Sequence, residues 1–227
     1  MKILAVADIH GDIEKLYTLV NNLKEEPDLV VVAGDLTPFG PKDIVPKVKS
    51  ALDKAGKYVF MIPGNEDTKE VREAMDTLSL DMHGKLLKIK DHSIIGFEGA
   101  RWVKDNGDVF IKYDPIHKVI KEASSKKILV THVPPFNTSA DTLWTGHHVG
   151  SPFVRNLVED YQPELLICGH IHEARGVEKI GDTLVVNTGA IADGYAAWIE
   201  TPKNVEFFKI KRKKVEKFTE SIKPENQ

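Results

Sequence analysis

Five apolar runs of strand length each end in a residue able to bind a metal. No other feature of the 227-residue chain narrows its fold as far. Residues 2–7 run into Asp8 and His10, 28–33 into Gly34-Asp35, and 58–62 into Pro63-Gly64-Asn65. Residues 127–131 end at His132, and 165–168 at Gly169-His170-Ile171-His172. Unbroken apolar runs predict strands buried on both faces, as in a parallel sheet. Between them lie helical spacings: Ile13, Leu16, Leu19, Val20 and Leu23, then 44–55, then Val71, Ala74, Met75 and Leu78. The opening therefore reads β-α-β-α-β-α, the order of a sheet with crossover helices.

The middle is less regular. Residues 86–89 and 93–97 predict two short strands, 101–114 a loop over the sheet, 115–124 a helix and 153–161 another. Residues 136–151 form a long loop rich in Thr, Gly and His, a length that in a compact domain points to function. Four short runs follow, 177–180, 183–187, 196–200 and 205–210, and predict an antiparallel meander completing a second sheet. With no repeat or linker, residues 1–210 are expected to be one domain and 211–227 a basic tail.

Bulk properties remove several classes of function. Basic and acidic residues number 31 and 34, a net charge of −3, which disfavours nucleic acid or an acidic membrane as the main partner. A single cysteine, Cys168, precludes an internal disulfide and a thiolate cluster, and fits a reducing compartment. The first apolar run is cut at Asp8, too short for a signal peptide, and no run approaches the roughly 18 residues of a membrane span. The expectation is a soluble cytoplasmic protein without membrane contact.

In open parallel sheets ligands bind at the carboxyl ends of strands. A core has no use for Asp8, His10, Asp35, Asn65, His132, His170 or His172, since buried ionisable groups are costly unless paired or metal-bound. Carboxylate, amide oxygen and imidazole suit Mn, Fe, Zn, Co or Ni. Seven ligands exceed one tetrahedral zinc and match two ions sharing a carboxylate, about 3.5–4 Å apart. Such a pair clamps the attacking and leaving oxygens of a phosphoryl displacement and lowers the pKa of a bridging water.

The motifs Asp-x-His, Gly-Asp, Gly-Asn-x-Asp, a lone His after a strand and Gly-His-x-His, in this order, resemble the calcineurin-like metallophosphoesterases. The likeness spans residue 2 to about 187. It implies an α/β fold, a two-sheet α/β/β/α sandwich. It also implies one metal on Asp8, His10, Asp35 and His172, a second on Asp35, Asn65, His132 and His170, and Asp35 as the bridge. Manganese is favoured, with Fe, Zn, Ni or Co as alternatives. The short chain without a cap resembles the small phosphodiesterases, whose substrates are small diesters or cyclic nucleotides. Alternatives are a phosphomonoesterase, a nuclease or a non-catalytic scaffold of the same fold. A dinuclear ureohydrolase would explain Asp8 to Asp12 but neither Gly-Asn nor Gly-His-x-His.

One position departs from the family pattern. Many members carry histidine directly after the motif asparagine, where this chain has Glu66 and then Asp67. A carboxylate there disfavours a dianionic monoester. Glu66, Asp67 and His148 are therefore the candidate catalytic residues, His148 and its neighbour His147 in the long loop being the substitutes for the missing histidine. Asp67 could orient a metal ligand or serve only as a carboxylate at a helix start. Arg175 is a candidate for a phosphate oxygen, or a surface residue.

Overall fold

The chain is described by a computed structural model over residues 1–99, 102–103, 109–110, 114–201 and 204–223. Its elements in order are β1 (Lys2–Val6), α1 (Ile13–Asn21), β2 (Leu29–Ala33), α2 (Ile44–Leu52), β3 (Val59–Ile62) and α3 (Lys69–Thr77). Then come β4 (Leu86–Ile89), β5 (His92–Phe97), β6 (Trp102–Val103), β7 (Val109–Phe110), α4 (Asp114–Lys121), β8 (Lys126–Thr131), α5 (Pro152–Tyr161) and β9 (Leu165–Cys168). The chain closes with β10 (Gly176–Ile180), β11 (Thr183–Asn187), β12 (Tyr195–Glu200), β13 (Asn204–Lys211) and β14 (Lys214–Phe218).

Two six-stranded mixed sheets lie face to face, ordered β14-β13-β12-β1-β2-β3 and β10-β11-β9-β8-β5-β4. Strand alternation builds the layers. In β1, Ile3 and Ala5 face the other sheet, where they meet Ile128, Val130, Leu165 and Ile167, while Leu4 and Val6 face the helices. Leu16, Leu19, Val45, Val48 and Val71 of α1 to α3 cover that outer face. Ile116 and Ile120 of α4 and Val154, Leu157 and Val158 of α5 cover the far face of the second sheet. This is the expected α/β sandwich with helices outside both sheets. Because both faces of β2 are covered, its run Leu-Val-Val-Val-Ala is buried throughout, and each of its leucine and valine side chains contributes about 1.5–3 kcal/mol.

Local signals set the helix starts. Asp12 accepts the amide of Lys15 at 3.0 Å and opens α1, and Ser151 accepts that of Val154 ahead of Pro152 and opens α5.

The expected meander is not a single unit. β10 and β11 close the second sheet, with β11 parallel to β9, whereas β12, β13 and β14 extend the first sheet beside β1. The segment between β11 and β12 carries the chain from one sheet to the other. It is fixed by Thr188 N–H to Cys168 O (3.0 Å), Ile191 N–H to Ala7 O (3.0 Å) and Ala192 N–H to Asp8 O (3.1 Å). Each strand's own pattern suits either sheet, so the free edges of β1 and β9 decide.

Part of the expected tail is also strand. β14 pairs antiparallel with β13, with Val215 against the helix-side core and Phe218 against the core between the sheets. The density of lysines hides that alternation. The expected loop over 101–114 lies largely outside the described residues, of which Trp102–Val103 and Val109–Phe110 pair as two short strands. Among the described residues no helix is long and apolar enough to cross a membrane.

Candidate metal centre

All seven predicted ligands meet at the carboxyl ends of β1, β2 and β3 in one sheet and of β8 and β9 in the other. Ligand atoms of Asp8, His10 and His172 lie within 4.8 Å of one another, as do those of Asp35, His132 and His170, and those of His10, Asp35 and Glu66. His132 Nε2 stands 2.9 Å from Asn65 Oδ1 and 3.3 Å from Asp35 Oδ2, which brings Asn65 into the second group. Asp35 belongs to two of the three groups.

The backbone is bent to achieve this. Asp8, His10, Asp35 and His170 all have φ between 45° and 69°, a left-handed conformation that costs non-glycine residues energy and concentrates at functional sites. The flanking glycines are needed for space. A Cβ on Gly34 would collide with the His132 ring, and one on Gly64 with the Asp35 carboxylate. Thus the Gly-Asp and Gly-Asn pairs let adjacent strand ends approach closely.

Three imidazoles are oriented by the nitrogen facing away from the cluster. Nδ1 of His132 meets Ala33 O at 2.8 Å, Nδ1 of His172 meets Asp193 Oδ2 at 3.1 Å, and Nδ1 of His10 meets Glu66 Oε2 at 3.0 Å. Each bond holds a proton on Nδ1 and turns Nε2 toward the interior, as outer partners of metal-bound histidines do. Nε2 of His10 and His172 then confront each other at 3.3 Å, and Asp8 Oδ1 is buried with no hydrogen-bond partner among the described residues. Inward-facing Nε2 atoms, a shared carboxylate and an orphaned carboxylate oxygen fit divalent cations. The donor set is oxygen and imidazole, with no thiolate.

The electrostatics agree. Burial opposes a charge on His132, but Asp35 and Asp8 outweigh it and lift its pKa to about 10. Burial, reinforced by His132, pushes His170 down to about 4. Burial also acts to raise Asp35, yet His132 holds it below the usual carboxylate range. The sign of the pH effect follows, taking about 6.5 for unfolded histidine. His132 stabilises metal-free protein in full below about pH 6.5, and this is lost as pH rises toward 10. His170 binds a proton more readily unfolded, so it lowers stability as pH falls from about 6.5 toward 4. Metal-free protein is expected to show a thermal-stability maximum from this pair near pH 6.5. Scanning Tm against pH in chelator tests it, and no alkaline decline would contradict a charged His132.

The remaining candidates separate. Glu66 sits beside the cluster with its side chain 27% exposed, bonded to His10. Asp67 is only 2% exposed. Its carboxylate accepts the amides of Leu36, Thr37 and Gly64 at 3.0–3.1 Å, and burial raises its pKa. It ties the loop after Asp35 to the turn carrying Asn65, which makes it a positioning residue with no path to substrate. His148 is held by Asp141 through Nδ1 at 2.6 Å, whereas His147 is exposed beside Thr145. Arg175 pairs with Glu220 and stacks 4.0 Å from the Tyr195 ring centroid, away from a phosphate role.

Several supporting residues were not evident in the sequence. Asp193 sits in an ordinary Asp-Gly turn. The Asn187 side-chain amide donates to Ala140 O at 3.0 Å and Ile171 O at 2.9 Å, steadying the segment between His170 and His172. Arg72 donates to Asp67 O and Gly64 O and forms a paired contact with Glu98, while Glu98 O receives the His132 amide at 2.9 Å. Only a strand-end polar residue such as Asn187 leaves a sequence signal.

With this geometry described, known proteins provide the comparison. The sequence model of the calcineurin-like phosphoesterases matches residues 1–174. An uncharacterized protein of Methanocaldococcus jannaschii is 36% identical over 195 residues, 82% of this chain and 87% of that one. A protein of Arcobacter nitrofigilis named "Probable glycerophosphodiester phosphodiesterase GpdQ" is 28% identical over 193 residues, 81% of this chain and 70% of that one. A solved Thermus thermophilus structure shares the fold at TM-score 0.68 and 17% identity, covering 96% of this chain and 98% of its own.

Proposed function

The chain belongs to the calcineurin-like phosphoesterase family, and on that footing we propose that it is a cytoplasmic, dinuclear phosphodiesterase of small diesters or cyclic nucleotides. Manganese is the favoured metal, and residues 1–210 are the catalytic unit. The family supports the coarser reading, a phosphoester hydrolase using divalent metal. The observation that carries the finer one is Asp35, shared between two ligand clusters at the mouth of both sheets. When bound, two divalent cations supply Lewis acidity and a water of lowered pKa.

This chain's residues do the rest. Asp8, His10, Asp35 and His172 would hold one ion, and Asp35, Asn65, His132 and His170 the other. Glu66, Ala33 O and Asp193 keep three of the imidazoles turned inward. Asp67 and Asn187 keep the carrier loops in register.

Preference for diesters rests on Glu66. Its carboxylate lies beside the cluster, where it repels the second charge of a monoester. Two unit charges 4 Å apart interact by about 4 kcal/mol at a dielectric of 20, and partial exposure reduces this to an effect on the order of tenfold. Compare kcat/KM for bis-p-nitrophenyl phosphate and p-nitrophenyl phosphate in wild type, Glu66→Gln and Glu66→His. The diester-to-monoester ratio is expected to fall about tenfold in both variants, with the monoester rate itself rising most in Glu66→His. A wild type that prefers the monoester, or a ratio flat across the series, overturns this account.

A further inference from the structure

The loop 136–151 and the turn that follows His172 enclose an open cleft of about 510 Å³, a size typical of small-molecule sites, roughly 300–1,000 Å³. Glu173, Ala174 and Arg175 form part of its wall, and they directly follow His172. The wall of the cleft therefore begins one residue from a metal-ligand candidate.

The rim carries an unusual residue. Trp144 lines the cleft with 87% of its surface exposed, and Phe136 on the same loop is 40% exposed. A large aromatic face held in water gains from a planar partner. The remaining lining is polar and complementary in kind. Thr142 offers a hydroxyl oxygen, its proton being given to Thr138 O at 2.7 Å, Glu173 a carboxylate and Lys223 an ammonium. His148 reaches the cleft with Nδ1 already engaged by Asp141, which leaves Nε2 as its available atom. A purely hydrocarbon aryl group would give the Glu173 carboxylate, the Lys223 ammonium and His148 Nε2 no polar partner.

We propose that this cleft is a nucleoside subsite: the base of a nucleotide ester stacks on Trp144 while Thr142, His148 and Glu173 meet its polar edge, with the phosphate at the metal cluster. The loop 136–151 thereby determines which phosphodiesters are taken, and Lys223 favours an anionic ligand. This rests on the phosphodiesterase reading, but the two can fail separately.

Calorimetry on the manganese-loaded protein compares adenosine 5′-monophosphate with ribose 5-phosphate, which share a phosphate and a sugar and differ in the base. The nucleotide is expected to bind at least about tenfold tighter and to quench indole fluorescence. Trp144→Ala is expected to bring the two affinities to within about twofold, and Trp144→Phe to retain part of the difference. Equal affinities in wild type, or an advantage that survives Trp144→Ala, overturn the subsite. Hydrolysis of bis-p-nitrophenyl phosphate is measured on the same samples. Hydrolysis with no base preference sinks only the subsite, whereas base preference without hydrolysis of any diester sinks the phosphodiesterase reading and leaves the subsite standing.

Discussion

Asp35→Asn is expected to reduce bound divalent metal from two equivalents to at most one and to lower kcat by roughly 10³-fold. The carboxylate is 2% exposed, and its Oδ1 accepts the Glu66 amide at 2.8 Å. Asparagine can keep that bond through its own oxygen, so the fold should survive. What it cannot keep is negative charge: its NH2 group would face His132 Nε2, which stands 3.3 Å from Oδ2. On the proposed dinuclear reading, two cations without a shared anion would repel each other, and several kcal/mol of transition-state stabilisation would go with the lost ion. Metal analysis of protein purified without chelator, with Mn²⁺ restored before assay, measures both effects. A variant that retains two equivalents and near-normal turnover would show that Asp35 is no bridge.

Arg72→Ala is expected to be strongly destabilising although Arg72 is not among the candidate ligands. The guanidinium side chain is 13% exposed and its partner Glu98 2%. Removing it leaves a buried carboxylate whose pKa burial already pushes up, and breaking such a pair typically costs about 3–5 kcal/mol. For a chain of this size that lowers Tm by roughly 6–20 °C. Arg72 also binds the carbonyls of Gly64 and Asp67 on either side of Asn65, and Glu98 O holds the His132 amide. The loss is therefore expected to weaken the site built from Asn65 and His132 more than the one built from His10 and His172. Arg72→Ala/Glu98→Gln should regain part of the stability, since no buried charge remains, without regaining the metal. Differential scanning calorimetry with metal titration separates the two effects. A Tm within 2 °C of wild type, on the order of 1 kcal/mol at most, would contradict the argument.

The site was legible because its ligands sit at fixed offsets from strand ends. A strand's length and apolarity are local properties, so Asp8, Asp35, Asn65, His132 and His170 announce themselves as interruptions of apolar runs. The helices were legible for the same reason, by the spacing of apolar residues such as Leu16, Leu19 and Leu23. Glu66 was visible as a departure from a motif. Its bond to His10 Nδ1 was not, since the two residues lie 56 positions apart and meet only when β1 and β3 share a sheet.

The sequence by itself determined the parallel strands, the crossover helices and the set of candidate metal-binding side chains, because each depends on residues within one turn or strand of one another. Only the tertiary structure decided the rest. It sent β12 to β14 to the edge of β1 rather than to the sheet of β10 and β11, turned a lysine-rich tail into a paired strand, and brought Arg72 to Glu98 and Asp193 to His172. Strand edges present the same amides and carbonyls to any partner, and a charged side chain carries no mark of the distant group it will meet. Those choices are made by which edges and charges remain unmatched once the cores have closed.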